Sequence, residues 1–236
     1  PILTQRDLPL DRPDMVTSVG HADLVETPEG EWWAVFLGTR PYENVFYNTG
    51  RETFLLPVTW KDGWPVILEK STPLPLQVDK PKVAEAVSTA PSTTGNFVWK
   101  DKFANPPLRP EWNTLNTPPA SPWYRIKNGL HLTPSTTRLT SLSHAAFLAR
   151  KQQHMSFEAE TVLQLPLGKN ISAGLVAFQN EKHHYFFAIR AEAKNYTIYI
   201  TKAKEGGEDV ISSHSLPLNK QVALGIDADK GKISFY

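Results

Sequence analysis

The chain has 236 residues, 40% of them hydrophobic, with 25 basic and 24 acidic residues and a formal net charge of +1. That length leaves room for one large domain or two small ones. The balanced charge, with no basic stripe, speaks against a nucleic-acid partner, and no stretch approaches the roughly 18 apolar residues of a membrane-spanning helix. Cysteine is absent, which excludes disulfides and thiolate metal sites within the chain.

The opening Pro1-Ile2-Leu3-Thr4-Gln5-Arg6 lacks the basic region and apolar run of a signal peptide. The chain reads as clipped at both ends, starting without Met and finishing on the strand-like Ile233-Ser234-Phe235-Tyr236. Helical periodicity is sparse, and 20 prolines with many short β-branched or aromatic runs predict an all-β protein. The first unit is a strand over 23–27, a turn at Pro28-Glu29-Gly30 and a strand over 31–37; Pro28 suits the second position of a type I turn and Gly30 the fourth. A second hairpin follows, with strands over 53–60 and 64–68 around Asp62-Gly63. Pro57 and Pro65 put these strands at edges or bulges. Two successive hairpins predict one four-stranded sheet, the unit that a β-propeller repeats.

From about residue 70 to 96 the composition turns to Pro, Ser and Thr without periodicity, which reads as an extended linker laid over a surface. Strands resume over 157–163, 173–178, 185–190, 196–200 and 222–226, and their regular short spacing predicts a β-sandwich. Asn170-Ile171-Ser172 and Asn195-Tyr196-Thr197 are acceptor sequons for N-glycosylation.

The run Gly20-His21-Ala22-Asp23-Leu24-Val25-Glu26-Thr27-Pro28-Glu29-Gly30-Glu31-Trp32-Trp33 carries the clearest pattern. With Leu37-Gly38-Thr39-Arg40-Pro41, Gly50-Arg51-Glu52-Thr53-Phe54-Leu55, Pro57-Val58-Thr59-Trp60 and Asp62-Gly63-Trp64-Pro65-Val66, it closely resembles glycoside hydrolase family 43. The resemblance spans roughly residues 1–79. Farther on, Leu108-Arg109-Pro110-Glu111-Trp112-Asn113 and Arg150-Lys151-Gln152-Gln153-His154 are similar to the family's concanavalin-like C-terminal sandwich. The implied architecture is the closing part of a five-bladed β-propeller over 1–79, a linker over 80–95 and a concanavalin-like β-sandwich over 96–236.

The resemblance implies an O-glycosyl hydrolase, a β-xylosidase or α-L-arabinofuranosidase acting by inversion. It would use a base Asp, a supporting Asp and an acid Glu from earlier blades. The acid normally lies in a Glu-Gly-Pro stretch, which this chain lacks, so no catalytic residue is expected within it. Alone, His21 reads as a structural histidine at a strand end. The resemblance instead places it on the propeller axis beneath the sugar pocket, contacting the sugar or holding a water or a cation such as calcium. Arg51 alone reads as a solvated or ion-paired residue; the resemblance brings it to the bound glycosyl unit, where a guanidinium fork can hold two sugar oxygens. Asp23 and Glu52 flank these residues but would not be the catalytic pair, and Asp23 reads as a brace for the strand end. Trp32, Trp33, Trp60 and Trp64 read as blade core in preference to sugar platforms. His183 and His184 face opposite ways on a strand, cannot readily share one ion, and read as a turn feature.

No cofactor is required by this reading, and calcium at His21 is the one ion it would admit. Expected partners are an arabinoxylan or xylan substrate and the upstream propeller part of the same protein, either in one chain or as a separate one, with no nucleic acid and no membrane. A secreted, extracellular location fits such an enzyme and the two sequons. The competing readings are a carbohydrate-binding module without catalysis and a purely structural sandwich.

Overall fold

The computed structural model describes residues 2–43, 45–85, 93–117, 123–165, 167–193, 195–205, 207–217 and 220–236, and every regular element among them is a β-strand. Contacts divide the chain into two units, Pro1–Phe97 with Gln152–Met155, and Val98–Lys151 with Ser156–Tyr236. Residues 86–92 of the expected linker lie outside the described residues.

In the first unit, β1 (Thr17–Glu26), β2 (Trp32–Thr39) and β3 (Glu52–Pro57) form an antiparallel sheet in that order. The turn between β1 and β2 closes as the sequence predicts, with the Gly30 amide donating to the Thr27 carbonyl at 2.9 Å. The expected second strand over 53–60 is broken. β3 ends at Pro57, which has no N–H to give a ladder, and Val58 makes one more bond to β2, donating to the Trp32 carbonyl at 2.7 Å. The chain then enters a separate hairpin of β4 (Thr59–Lys61) and β5 (Trp64–Val66), so the predicted single four-stranded sheet is a three-stranded sheet followed by a hairpin. Its turn residues Asp62 and Gly63 have φ of 50° and 77°, the positive pair a type I′ turn requires.

One face of the sheet carries the core. Ala34, Phe36, Leu56 and Val58 are buried together with Val16, Ile67 and Leu74, while Val19, Leu24 and Phe54 pack around them. Phe36 and Phe54 sit in register and stack at 5.8 Å. Gly38 is compulsory beneath them: a Cβ there would meet Val16 Cγ1 at 2.9 Å and the Phe54 ring at 3.0 Å. Two irregular segments complete this core. The buried Gln5 amide donates to the Thr72 carbonyl at 2.9 Å and accepts from the Leu74 amide at 3.0 Å, tying the first residues to the stretch after β5. That stretch was expected to lie over a surface, and buried Leu74 shows where it does so.

The second unit opens with short paired strands, β6 (Trp112–Thr114) with β9 (Leu148–Arg150) and β7 (Tyr124–Ile126) with β8 (Leu130–Leu132). The Arg109 and Arg150 guanidiniums lie 4.6 and 4.5 Å from the Trp99 ring centroid, and Trp112 meets Trp99 edge-on at 5.3 Å. Longer strands follow: β10 (Ser156–Gln164), β11 (Ser172–Asn180), β12 (His183–Ala191), β13 (Tyr196–Lys204), β14 (Gly207–Leu216), β15 (Gln221–Asp229) and β16 (Lys232–Phe235). They make two antiparallel sheets, β10-β15-β16 and β11-β12-β13-β14. The sheets meet through Phe235 of β16, whose ring lies 5.4 Å from Phe187 and 6.0 Å from Tyr185 of β12. Buried Phe187 and Ile189 of β12 and Leu224 and Ile226 of β15, each pair two residues apart, fill the layer, as a β-sandwich requires.

Gly174 of β11 is held where a side chain cannot fit, since a Cβ there would lie 2.0 Å from the Phe187 carbonyl oxygen and 2.6 Å from the Ala188 Cα. Backbone atoms of a paired strand cannot rotate aside. Gly174→Ala is therefore expected to destabilise the sandwich by about 3 kcal/mol, at the upper end of ordinary overpacking. Urea denaturation of the whole protein, read at the transition that reports the sandwich, measures the loss.

Candidate functional site

β1 is not a regular strand. Its pairing with β2 passes from Thr17 opposite Thr39 to Gly20 opposite Leu37 and then to Asp23 opposite Val35, so the register slips by one residue twice. Ser18 and Val19 stand against the single Gly38, and His21 and Ala22 against the single Phe36. Each extra residue has its backbone in the left-handed region, Ser18 at φ 54° and His21 at φ 52°. That conformation disfavours any residue with a Cβ by about 1–2 kcal/mol. A bulge re-aims the side chain it carries, and bulges concentrate next to active sites. His21 is exposed and makes no side-chain hydrogen bond among the described residues, so none of these uses the conformation that holds it.

Arg51 lies on the other flank of β2. The last paired row of β2 and β3 is Gly38 with Glu52, and Arg51 is the next residue outward, opposite Thr39. Thr39 is 1% exposed and its hydroxyl meets that of Thr17 at 3.0 Å, which closes this end of the sheet. Gly50, with φ 71°, turns the chain into Arg51. Arg51 is exposed and has no hydrogen bond or ion pair among the described residues. Counted on the sheet, His21 and Arg51 are three rows and two strands apart, about 10 Å along and about 10 Å across. They share one sheet but do not touch.

The neighbouring acidic residues behave differently from each other. Asp23 is exposed in the row of Val35 and makes no side-chain bond among the described residues, so it does not brace the strand end as the sequence suggested. Its place on the face away from the core explains this. Glu52 is taken up by Arg40, whose Nε donates to Oε1 at 2.9 Å and to Oε2 at 3.1 Å, and whose Nη2 donates to Oε2 at 2.8 Å. The Thr49 hydroxyl donates to Oε1 at 2.8 Å. The hydrogen bonds to Glu52 raise the Arg40 pKa above its ordinary value; desolvation opposes this, while the charges of Glu52 and Asp14 reinforce it. Sequence reasoning missed this group. The available signal was an arginine closing one apolar strand and a glutamate opening the next.

The tryptophans divide. Trp33 is 5% exposed, and half-buried Trp32 meets Trp60 edge-on at 5.2 Å. Trp60 and Trp64, expected in a blade core, are 46% and 70% exposed, because the short hairpin that bears them leaves the sheet after Val58. His183 and His184 open β12 and face opposite ways. His183 is exposed against Asn180 Oδ1, whereas His184 is buried, stacks on Phe178 at 5.4 Å and bonds the Asn180 carbonyl through Nδ1 at 3.1 Å. Among the described residues no three His, Asp or Glu side chains gather as a metal set. Calcium takes six to eight oxygen ligands, so the residues around His21 do not fit that ion by themselves.

The sequence matches the family model for the beta-xylosidase C-terminal concanavalin A-like domain over residues 100–236 and that for glycosyl hydrolases family 43 over residues 1–65. This chain belongs to glycoside hydrolase family 43. Among curated family 43 relatives, the non-reducing end alpha-L-arabinofuranosidase BoGH43B of Bacteroides ovatus is 30% identical over the whole chain, which covers 43% of that protein. The beta-xylosidase of Bacillus subtilis is 30% identical over 70% of the chain and 32% of its own length. Among solved structures, a GH43_12 protein from a capybara gut metagenome superposes with a TM-score of 0.86 at 29% identity, covering all of this chain and 44% of its own. Xylan beta-1,4-xylosidase from Bacillus halodurans gives 0.80 at 29% identity, covering all of this chain and 45% of its own. The chain thus spans less than half the length of the relatives it matches. The all-β fold class expected from sequence, the closing part of a family 43 propeller followed by a concanavalin-like sandwich, holds.

The conformation of His21 gives a test that separates stability from function. Glycine bears no left-handed penalty, so His21→Gly should leave stability unchanged or raise it by up to about 1 kcal/mol. If the bulge serves to present the imidazole, the same substitution should lower glycosidase activity in the whole protein. Thermal unfolding and aryl-glycoside hydrolysis on one preparation check both; equal activity in His21→Gly would leave the bulge with a purely structural reading.

Proposed function

We propose that the whole protein is an exo-acting, inverting glycoside hydrolase that removes terminal α-L-arabinofuranosyl or β-D-xylosyl units from arabinoxylan and xylo-oligosaccharides. The observation that carries this reading is the presentation of His21 and Arg51, both exposed and without partners among the described residues, on two flanks of one sheet in a family 43 module. In this reading they bind the sugar. A guanidinium and an imidazole reaching in from positions about 14 Å apart bracket a single pentose. Arg51 supplies two parallel donors to sugar oxygens. Its permanent positive charge also keeps a neighbouring carboxylate ionised.

The catalytic carboxylates belong to the remainder of the protein. Inversion places the acid and the base roughly 6.5–9.5 Å apart, with a water between base and anomeric carbon. The upstream part of the propeller is the partner this chain needs, and a patch on the face of the sheet away from the core suits it. Val25, Val35 and Leu55 are 48%, 37% and 39% exposed there, Val35 and Leu55 opposite each other and Val25 two rows along on the same face. Trp33 is buried, and Trp32 and Phe54 pack against the core, so they are largely covered within this chain. No cofactor enters the reading. An extracellular location agrees with the exposed turn that holds the sequon residue Asn170.

Arg51→Ala in the whole enzyme is expected to keep the fold and lower kcat/KM by roughly 30- to 1000-fold, corresponding to the loss of a charged hydrogen-bond partner worth about 2–4 kcal/mol. Arg51→Lys should recover little, because an ammonium keeps the charge and loses the fork. Steady-state kinetics on aryl xyloside and aryl arabinofuranoside measure both variants. Near-normal efficiency of Arg51→Ala on both substrates would remove Arg51 from the sugar pocket.

A further inference from the structure

We infer that Arg40 and Glu52 are positioning residues: their forked ion pair, with Thr49, buckles the base of the β2–β3 loop and fixes the direction in which Arg51 is presented. This rests on the sugar-binding role of Arg51.

Backbone pairing of β2 with β3 stops at Gly38 and Glu52. The described residues between 41 and 51 belong to no named strand, and among them Tyr42 and Phe46 form a bridge. The two ends of the loop are joined by side chains. Arg40 closes both of its donor groups on the two Glu52 oxygens at 2.8–3.1 Å, the bidentate geometry that adds direction to charge. Thr49 spends its hydroxyl on the same carboxylate. Arg51 therefore lies between two residues anchored to one group, Glu52 directly after it and Thr49 two places before it, with Gly50 making the turn between. The Arg40 and Glu52 side chains are 29% and 23% exposed, so the pair is partly shielded from water. An ordinary surface ion pair joins whatever happens to be close and contributes little to stability. Here Glu52 takes three bonds from one planar fork and a fourth from Thr49, which constrains the backbone on either side of a cation that has no partner among the described residues.

The test uses the whole enzyme and four variants: Arg40→Lys, Glu52→Gln, Arg51→Ala and the double variant Arg40→Lys with Arg51→Ala. Arg40→Lys keeps a charge but not the fork; Glu52→Gln keeps the shape and one acceptor for Thr49. Both should unfold close to the parent temperature yet lose roughly 10- to 100-fold in kcat/KM, the range expected for a displacement near 1 Å at a reacting centre. A cation that has swung away no longer lowers the pKa of the carboxylate beside it, so the acid limb of the kcat/KM profile should move to higher pH in Arg40→Lys, which leaves the local net charge unchanged. In the Arg51→Ala background, Arg40→Lys should have almost no further effect, since residues acting through one another are not additive.

Three results would overturn the clamp while leaving the sugar-binding reading standing. The first is Arg51→Ala impaired with Arg40→Lys and Glu52→Gln at parent efficiency. The second is full additivity of Arg40→Lys with Arg51→Ala. The third is a loss of activity in Arg40→Lys or Glu52→Gln that only follows a lowered unfolding temperature, with an unmoved acid limb in Arg40→Lys. If Arg51→Ala itself keeps parent efficiency, the reading beneath the clamp fails first, and the clamp fails with it.

Discussion

The hydrogen-bond ladders on the two edges of β2 hold together everything this chain offers to a site. β1 carries His21 on one edge and β3 leads to Arg51 on the other, and neither residue touches the other. Their spacing is set by strand geometry alone, which is stiff. β2 in turn is fixed by its buried side, where Ala34 and Phe36 share a core with Leu56 and Val58. Burial of such side chains stabilises by about 1.5–3 kcal/mol each, and it is directed at the element that serves as the ruler between the two sugar-binding candidates.

Strain and constraint are distributed unevenly around that ruler. On the β1 side the backbone is held at an unfavourable φ in two places, while the side chain of His21 presented there has no hydrogen-bond partner among the described residues. On the β3 side the turn into Arg51 is made by Gly50, at φ 71°, where a positive φ costs nothing, and the constraint comes from a carboxylate with several donors. A left-handed residue that is not glycine persists only where the surrounding structure over-determines it. The core residues Val19 and Leu24 on either side of His21 provide that determination.

Much of this was legible in the sequence. The two turns, Pro28-Glu29-Gly30 and Asp62-Gly63, closed as their residues dictate, and the alternation from 157 onward located the long strands of the sandwich. What escaped had no local signature. Pro57 was read as an edge or bulge signal, but the break it makes before Val58 depends on where Trp32 lies across the sheet. β14 was not among the expected strands: Ser212, Ser213, His214 and Ser215 carry no apolar alternation, and the segment is a strand because β13 pairs along it. Trp60 and Trp64 looked like core on the strength of size alone, whereas exposure was decided by the path of the hairpin. The site residues His21 and Arg51 came from a family pattern; the clamp on Glu52 needed the fold, because its partners lie 3 and 12 positions away in sequence.

The core residues Val16, just ahead of β1, and Val19 and Leu24 within it are three and five positions apart, odd spacings that an unbroken strand would send to opposite faces. Each bulge absorbs one residue and so returns the next core residue to the interior. Losing one residue between Gly20 and Asp23 would shorten the Val19–Leu24 spacing to four, an even number that a regular strand keeps on one face. The pairing of Gly20 with Leu37 and of Thr17 with Thr39 would stand unchanged. A relative with a lone gap beside His21 would therefore keep this strand and its core, and lose only the extra residue that turns a side chain away from the ladder.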